Sequence, residues 1–112
     1  EDTNFYAVFE QIYYSIQEFD ENSAITLDLR QIKKINKIKF YQRVSEHSTD
    51  VFQDCSFYVS KDNINYTKVG KDQYLSQDEI EIILTNTEAR YVQVRSNIYS
   101  NVGVCIREFI VE

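Results

Sequence analysis

Phe57-Tyr58-Val59-Ser60 runs into Lys61-Asp62-Asn63 and resumes as Tyr66-Thr67-Lys68-Val69 before Gly70. Phe57 and Val59 fall on one face of an extended chain, Tyr58 and Ser60 on the other, the period of two that marks a half-buried strand. Asp and Asn hydrogen-bond their own backbone and tolerate left-handed conformations, so the polar triplet reads as a tight turn between two strands. A chain with this signature at its centre must bury one face of a sheet against something else. The partner for that face has to come from the rest of the sequence.

The rest supplies it as more strands. Ile25, Leu27 and Leu29 alternate with Thr26 and Asp28, and Ile38 and Phe40 alternate with Lys37, Lys39 and Tyr41. Gln31–Phe40 also fits a basic helix with Ile32, Ile35 and Lys39 at helical spacing, but its β-branched content favours a strand. Further on, Ile80, Ile82 and Leu84 alternate with Glu79, Glu81 and Ile83; Val92 and Val94 continue the pattern, and Val102–Val111 closes the chain. Seven short strands with polar connections predict an antiparallel jelly-roll β-sandwich, all-β in class. In the last strand Ile106, Phe109 and Val111 break strict alternation, and one extra residue there predicts a β-bulge that re-aims Glu108.

Residues 1–22 are ambiguous. Phe5, Val8, Phe9, Ile12, Ile16 and Phe19 lie three and four apart, which suits a short amphipathic N-terminal helix capped near Thr3. Tyr6, Tyr13 and Tyr14 would suit strands equally well.

A domain usually takes about 100–200 residues, so 112 residues read as a single domain, residues 1–112. Nine Tyr and seven Phe give it the apolar area for one core. Glu1 opens a chain without Met, which reads as a piece of a longer protein. The net charge of −6 argues against nucleic acid, whose affinity is supplied by Lys and Arg, and against anionic membrane lipid. Arg30, Lys33, Lys34, Lys37, Lys39 and Arg43 form a local basic cluster that reads first as a solvated strand face. Two cysteines are too few for a disulfide scaffold; Cys55 keeps register with Phe57 and Val59 and reads as a small buried apolar residue. Whether it pairs with Cys105 is open.

Three blocks carry a family resemblance. Ala24-Ile25-Thr26-Leu27-Asp28-Leu29 with Ile35-Asn36-Lys37-Ile38, then Val59-Ser60-Lys61-Asp62-Asn63-Ile64-Asn65-Tyr66, then Ala89-Arg90-Tyr91-Val92 with Glu108-Phe109-Ile110-Val111 stand in the right order. Over residues 23–112 the chain resembles the discoidin or coagulation factor 5/8 type C domain family, similar to family 32 carbohydrate-binding modules. Arg30 and Asn63 stand where that family usually has Gly, and Tyr66 where it has Trp. The family's first strand is not recognisable in residues 1–22. The resemblance implies a galactose-binding-like sandwich, a secreted or cell-surface setting, and a ligand-binding rather than catalytic role.

It also implies where a ligand would sit. In sugar-binding members an Arg after the second of these strands donates to sugar hydroxyls, and an Asn and an aromatic come from the loop before the last strand. Arg43 holds the first position; Tyr99 and Asn101, with Asn97 adjacent, hold the second. His47 lies in the loop beside Arg43. The combination suits paired hydroxyls and the apolar side of a sugar ring. The blander alternatives are a surface charge for Arg43, a core-edge cover for Tyr99 and an exposed bystander for His47. Many bacterial members bind a structural calcium assisted by a Glu in the last strand, and Glu108 matches it by position. Calcium needs six or more oxygens, so this single match leaves it a bare candidate.

No phosphate loop, nucleophile elbow or Cys–His pairing is present, and the expectation is a domain that is not an enzyme. The function expected is carbohydrate binding on behalf of a larger enzyme or surface protein. The alternative is a protein–protein or architectural domain without a sugar site, favoured by the acidic surface and the absence of Trp.

Overall fold

A computed structural model of the chain describes residues 5–14, 24–42, 54–74, 79–98 and 104–112; for residues 5–14, Gln42, Tyr74 and 104–108 the description is of the backbone. Among the described residues there are six strands: β1 (Phe5–Tyr14), β2 (Ala24–Gln42), β3 (Asp54–Ser60), β4 (Thr67–Tyr74), β5 (Glu79–Ser96) and β6 (Val104–Val111). They pair antiparallel in the order β1-β6-β2-β5-β3-β4.

That continuous sheet closes on itself because β2 and β5 bend together. Their register slips twice, with 29–32 of β2 opposing Arg90 alone and 84–86 of β5 opposing Asn36 alone. Extra residues on alternate strands bend and twist a ladder without breaking it. Arg30 (φ 76°) and Asn86 (φ 49°) take left-handed backbone in the same corner. Beyond the corner β2 pairs with β6, whereas the second half of β5 pairs with β3. The two halves face each other as the layers of a sandwich.

Between them lies the core. Phe40 from one layer meets Phe57 from the other edge-to-face at 5.5 Å, and Phe109 packs on both at 5.2 and 6.2 Å. All three rings are fully buried. Edge-to-face rings add roughly 0.5–1.5 kcal/mol per pair beyond the area they bury. Around them Leu29, Ile35, Ile38, Ile80, Ile82, Val92 and Val94 fill the interior. On β5, Ile80, Ile82 and Leu84 point in while Glu79, Glu81 and Ile83 point out. Gly70, at φ 71°, lets edge strand β4 approach the other layer: a Cβ there would stand 3.0 Å from Cγ2 of Ile82.

Several expectations are corrected. The short N-terminal helix is a strand over Phe5–Tyr14, paired with β6. Between Val8 and Ile12 its register slips, four residues of β1 advancing against two of β6. The seven short strands expected become five, because the segments read on either side of residues 30–36 and 85–91 are continuous strands bent at the corner, and β1 makes six among the described residues. Gln31–Phe40 is strand, and the expected β-bulge in β6 is present: Glu108 opposes Tyr41, Ile106 opposes Gln42, and Arg107 is the extra residue.

Candidate ligand-binding end

Phe40 lies two residues before the end of β2 and Phe57 three residues after the start of β3, so their contact sets those strand ends over each other. Asp54 pairs with Tyr74, Tyr41 with Glu79, Arg95 with Ala24 and Tyr14 with Val104. The strand ends flanking segments 15–23, 43–53, 75–78 and 99–103 therefore gather at one end of the sandwich. At the opposite end lie the β2/β5 corner and the turn between β3 and β4.

Of the residues expected to bind ligand, Asn97 is described; Arg43, His47, Tyr99 and Asn101 lie outside the described residues. Asn97 follows β5 directly. Its amide nitrogen donates to Asp54 Oδ1 and to Ser56 Oγ, both at 2.9 Å, and its backbone N–H donates to the Asp54 carbonyl at 2.8 Å. With both amide hydrogens committed, the carbonyl oxygen is the group this side chain can offer a ligand. The Ser56 hydroxyl, fully buried, donates in turn to Asp72, which pairs with Lys68 on β4. The bulge in β4 makes this possible, because residues 70–72 arch over Ser56 between the Phe57–Val69 and Cys55–Gln73 pairs. Ser96 Oγ donates to the Ile98 carbonyl at 2.7 Å and holds the first residues after β5 in a turn. The arrangement fixes the base from which residues 99–103 depart.

Glu108 lies on β6 between Val8 and Tyr41; its side chain lies outside the described residues. Among the described residues no three His, Cys, Asp or Glu side chains converge as a metal site, so no step is assigned to calcium. Cys55 carries a free thiol in the core. Burial foremost, then the neighbouring Asp54 and Asp72 carboxylates, pushes it up to about 12.

The outer face of the β2–β5–β3 layer holds residues that sequence reasoning missed as a group. Arg95 lies over the Tyr58 ring at 3.9 Å and over Tyr66 at 5.3 Å, while its Nε donates to Gln93, whose amide donates to Thr26. Cation–aromatic contacts of this kind fasten a face that is otherwise wet. Arg90 forks onto both oxygens of Asp28 at 2.8 and 3.1 Å. That fork, helped by the Arg30 N–H, holds the Asp28 carboxyl at about 2. Alternation already put Tyr58 opposite Phe57 on the outside. Its contact with Arg95 depends on a pairing 37 residues away along the chain, which no local pattern records.

Two residues of the basic cluster on β2 are in ion pairs. Lys37 meets Glu81 at 3.2 Å and Lys39 meets Glu112 at 3.8 Å, as a solvated strand face would.

The F5/8 type C domain model matches residues 10–109 of the chain, including part of β1. Among solved structures, the C-terminal domain of a chitobiase from Bacteroides fragilis superposes with a TM-score of 0.64 at 23% identity, over 80% of this chain and 61% of that one. This chain thus spans about three fifths of that domain's length. Chitosan-binding module 1 of a chitosanase/glucanase from Paenibacillus sp. IK-5 gives 0.66 at 15% identity, over 98% and 95%. A family 32 carbohydrate-binding module from Clostridium perfringens, in complex with GalNAc-β-1,3-galactose, gives 0.63 at 15% identity, over 96% and 73%. At these identities the likeness is one of fold. No curated protein matches the chain.

Proposed function

The chain belongs to the F5/8 type C domain family, and from that premise we propose that it is a non-catalytic carbohydrate-binding module serving a larger enzyme or surface protein. The observation that carries the reading is the gathering of four strand connections at one end, beside the hydrogen-bonded base built by Asn97, Asp54 and Ser56. Two of those connections contain Arg43, His47, Tyr99 and Asn101. Their chemistry is what a terminal sugar needs: planar donors and acceptors for neighbouring hydroxyls and an aromatic face for the C–H side of the ring.

A site made of loop residues at the end of a sandwich is shallow and buries little area. Its affinity falls near 0.1–1 mM, roughly −4 to −5.5 kcal/mol. Such a domain acts by raising the local concentration of its parent on a glycan surface, and tandem copies multiply the effect.

The test is a glycan array probed with the domain and with Arg43→Ala. Binding to a defined terminal sugar that disappears in the variant is expected. A blank array with a folded domain overturns carbohydrate binding in favour of a protein partner. Sugar binding that survives in Arg43→Ala keeps the function and removes Arg43 from the site.

A further inference from the structure

At the end of the sandwich opposite Asn97, a cleft of about 450 Å³ opens between the β2/β5 corner and the turn joining β3 to β4. Its floor is apolar, formed by Val59 and Val69. Its rim is polar: Thr67 on β4, Asn86, Thr87 and Glu88 on the corner of β5, with Lys34 and Lys61 above. A smaller lobe of about 280 Å³ continues from it over Ser60, Asp62 and Asn65. Small-molecule sites commonly occupy about 300–1,000 Å³, with an apolar lining and a few convergent polar groups.

The local charge is unlike that of the domain. The chain as a whole is −6, yet two ammonium groups and one carboxylate face the main cleft; the Asp62 carboxylate in the smaller lobe is taken up by the turn's own N–H groups. Lys61 pairs with Glu88 at 3.7 Å across the rim, both side chains 59% exposed. An exposed pair at that distance is weak and can open to admit a ligand. Lys34 makes no ion pair with any described residue, whereas Lys37 and Lys39 on the same strand have Glu81 and Glu112. Lys34 is thus a cation of the β2 basic cluster without an ion-pair partner among the described residues, and the corner delivers it to the cleft.

We infer that this cleft is a second binding site, distinct from the loop-bearing end, for a sugar residue carrying a carboxylate. Lys34 takes the carboxylate. Thr67, Thr87 and Asn86 supply hydroxyl and amide partners for the ring hydroxyls, and Val59 with Val69 receives the C–H face. A bare inorganic anion would leave the apolar floor and most of the rim unused. A neutral sugar would leave Lys34 without its charge partner. The rigidity of the site comes from below: Asp62 accepts N–H groups from Ile64 and Asn65, and Ser60 Oγ accepts from Asn63, so the turn forming one wall is locked.

Amide shifts of the ¹⁵N-labelled domain, followed at constant ionic strength during titration with D-glucuronate, D-glucose or sodium sulfate, test the site. Glucuronate is expected to move Thr67, Thr87 and Glu88, with glucose and sulfate moving them far less. Lys34→Ala should weaken glucuronate about tenfold, the loss of one charge-assisted contact, and Lys34→Arg should retain it. Lys34 is exposed, and the spectrum itself reports that each variant is folded. No shift at these amides with glucuronate overturns the inference. So does an equal response to glucose, an equal response to sulfate, or an affinity unchanged in Lys34→Ala. The outcome is separable from the loop-end reading: shifts confined to Asn97 and Ile98 support that reading and sink this one, whereas shifts confined to the corner support this one and leave the loop end to the glycan array.

Discussion

Asn97 uses one amide group to hold two residues of β3, donating to Asp54 Oδ1 and Ser56 Oγ at 2.9 Å each, while its own backbone N–H closes onto the Asp54 carbonyl. The end of β5 is thereby tied to the start of β3 through three hydrogen bonds, just where the chain departs toward Tyr99 and Asn101.

Replacing the donor with an acceptor should undo this. Asn97→Asp faces the Asp54 carboxylate with a second one and leaves Ser56 without the amide it accepts from. A buried or part-buried group stripped of its partner costs about 1–3 kcal/mol. Urea denaturation at neutral pH should show a loss of that size. The deficit should shrink in acid, where protonating the introduced carboxyl restores a donor. A variant as stable as the wild type at neutral pH would mean that the three bonds contribute nothing to holding this end. If the loop-end site binds sugar, affinity should also fall, because its base has loosened.

Cys55 gives a prediction with the opposite pH sense. Its thiol lies fully buried, and its folded value near 12 stands above an ordinary value of 9.0. In the unfolded chain the thiolate forms at about the ordinary value, while in the folded chain it does not. The stability this supplies is complete below the unfolded value and is lost as pH rises from about 9 toward 12. The urea midpoint should decline across that interval, and Cys55→Ala should flatten the thiol's share of the decline. Native protein at pH 8 should leave the Cys55 peptide unalkylated by iodoacetamide until denaturant is added, as mass-spectrometric mapping would show. Rapid labelling of that peptide without denaturant would contradict the burial.

The same residues show what a sequence discloses and what it conceals. Cys55, Phe57 and Val59 declare their burial because β3 is straight and its period is two throughout. Asn63 declares its left-handed backbone, φ 65°, because few residues adopt that conformation and Asn is one of them. The N-terminal strand is hidden because Phe5, Val8, Phe9 and Ile12 lie three and four apart, as on a helix, while its pairing with β6 is long-range. The corner is hidden because Arg30 and Asn86 look like breaks between short strands, whereas they lie in the bulges on which two long strands turn. The loop-end candidates were named from family resemblance, not from any pattern that builds a site. The cleft at the other end joins Lys34, Lys61 and Glu88 from three separate segments. Only the bend brings them together, and the bend is set by long-range pairing.

Arg30 is where the sequence departs from its family and the backbone records the consequence. The family usually has Gly at this position, and Arg30 holds φ 76°. A left-handed conformation costs a side-chain-bearing residue about 1–2 kcal/mol, and Arg has no local hydrogen bond of the kind that lets Asn tolerate it. What holds it is Asp28, which accepts the Arg30 N–H at 2.8 Å while forked by Arg90. Arg30→Gly keeps that backbone donor and removes the Cβ strain. Against this, Gly gains freedom in the unfolded chain worth roughly 0.5–1 kcal/mol. The net expectation is a gain of about 0.5–1 kcal/mol, read as a higher urea midpoint. Asn63→Gly serves as the comparison and should give no gain, since Asn already suits the conformation and its Oδ1 accepts from the Tyr66 hydroxyl. The Asp28 carboxyl should stay well below the ordinary carboxylate range in Arg30→Gly, because the Arg90 fork and the backbone N–H at position 30, its leading causes, both remain. Its contribution is then present above the ordinary 3.8 and lost as pH falls through about 2, in variant and wild type alike. Should Arg30→Gly lower stability instead, the arginine side chain must be making contacts at the corner that outweigh its backbone strain.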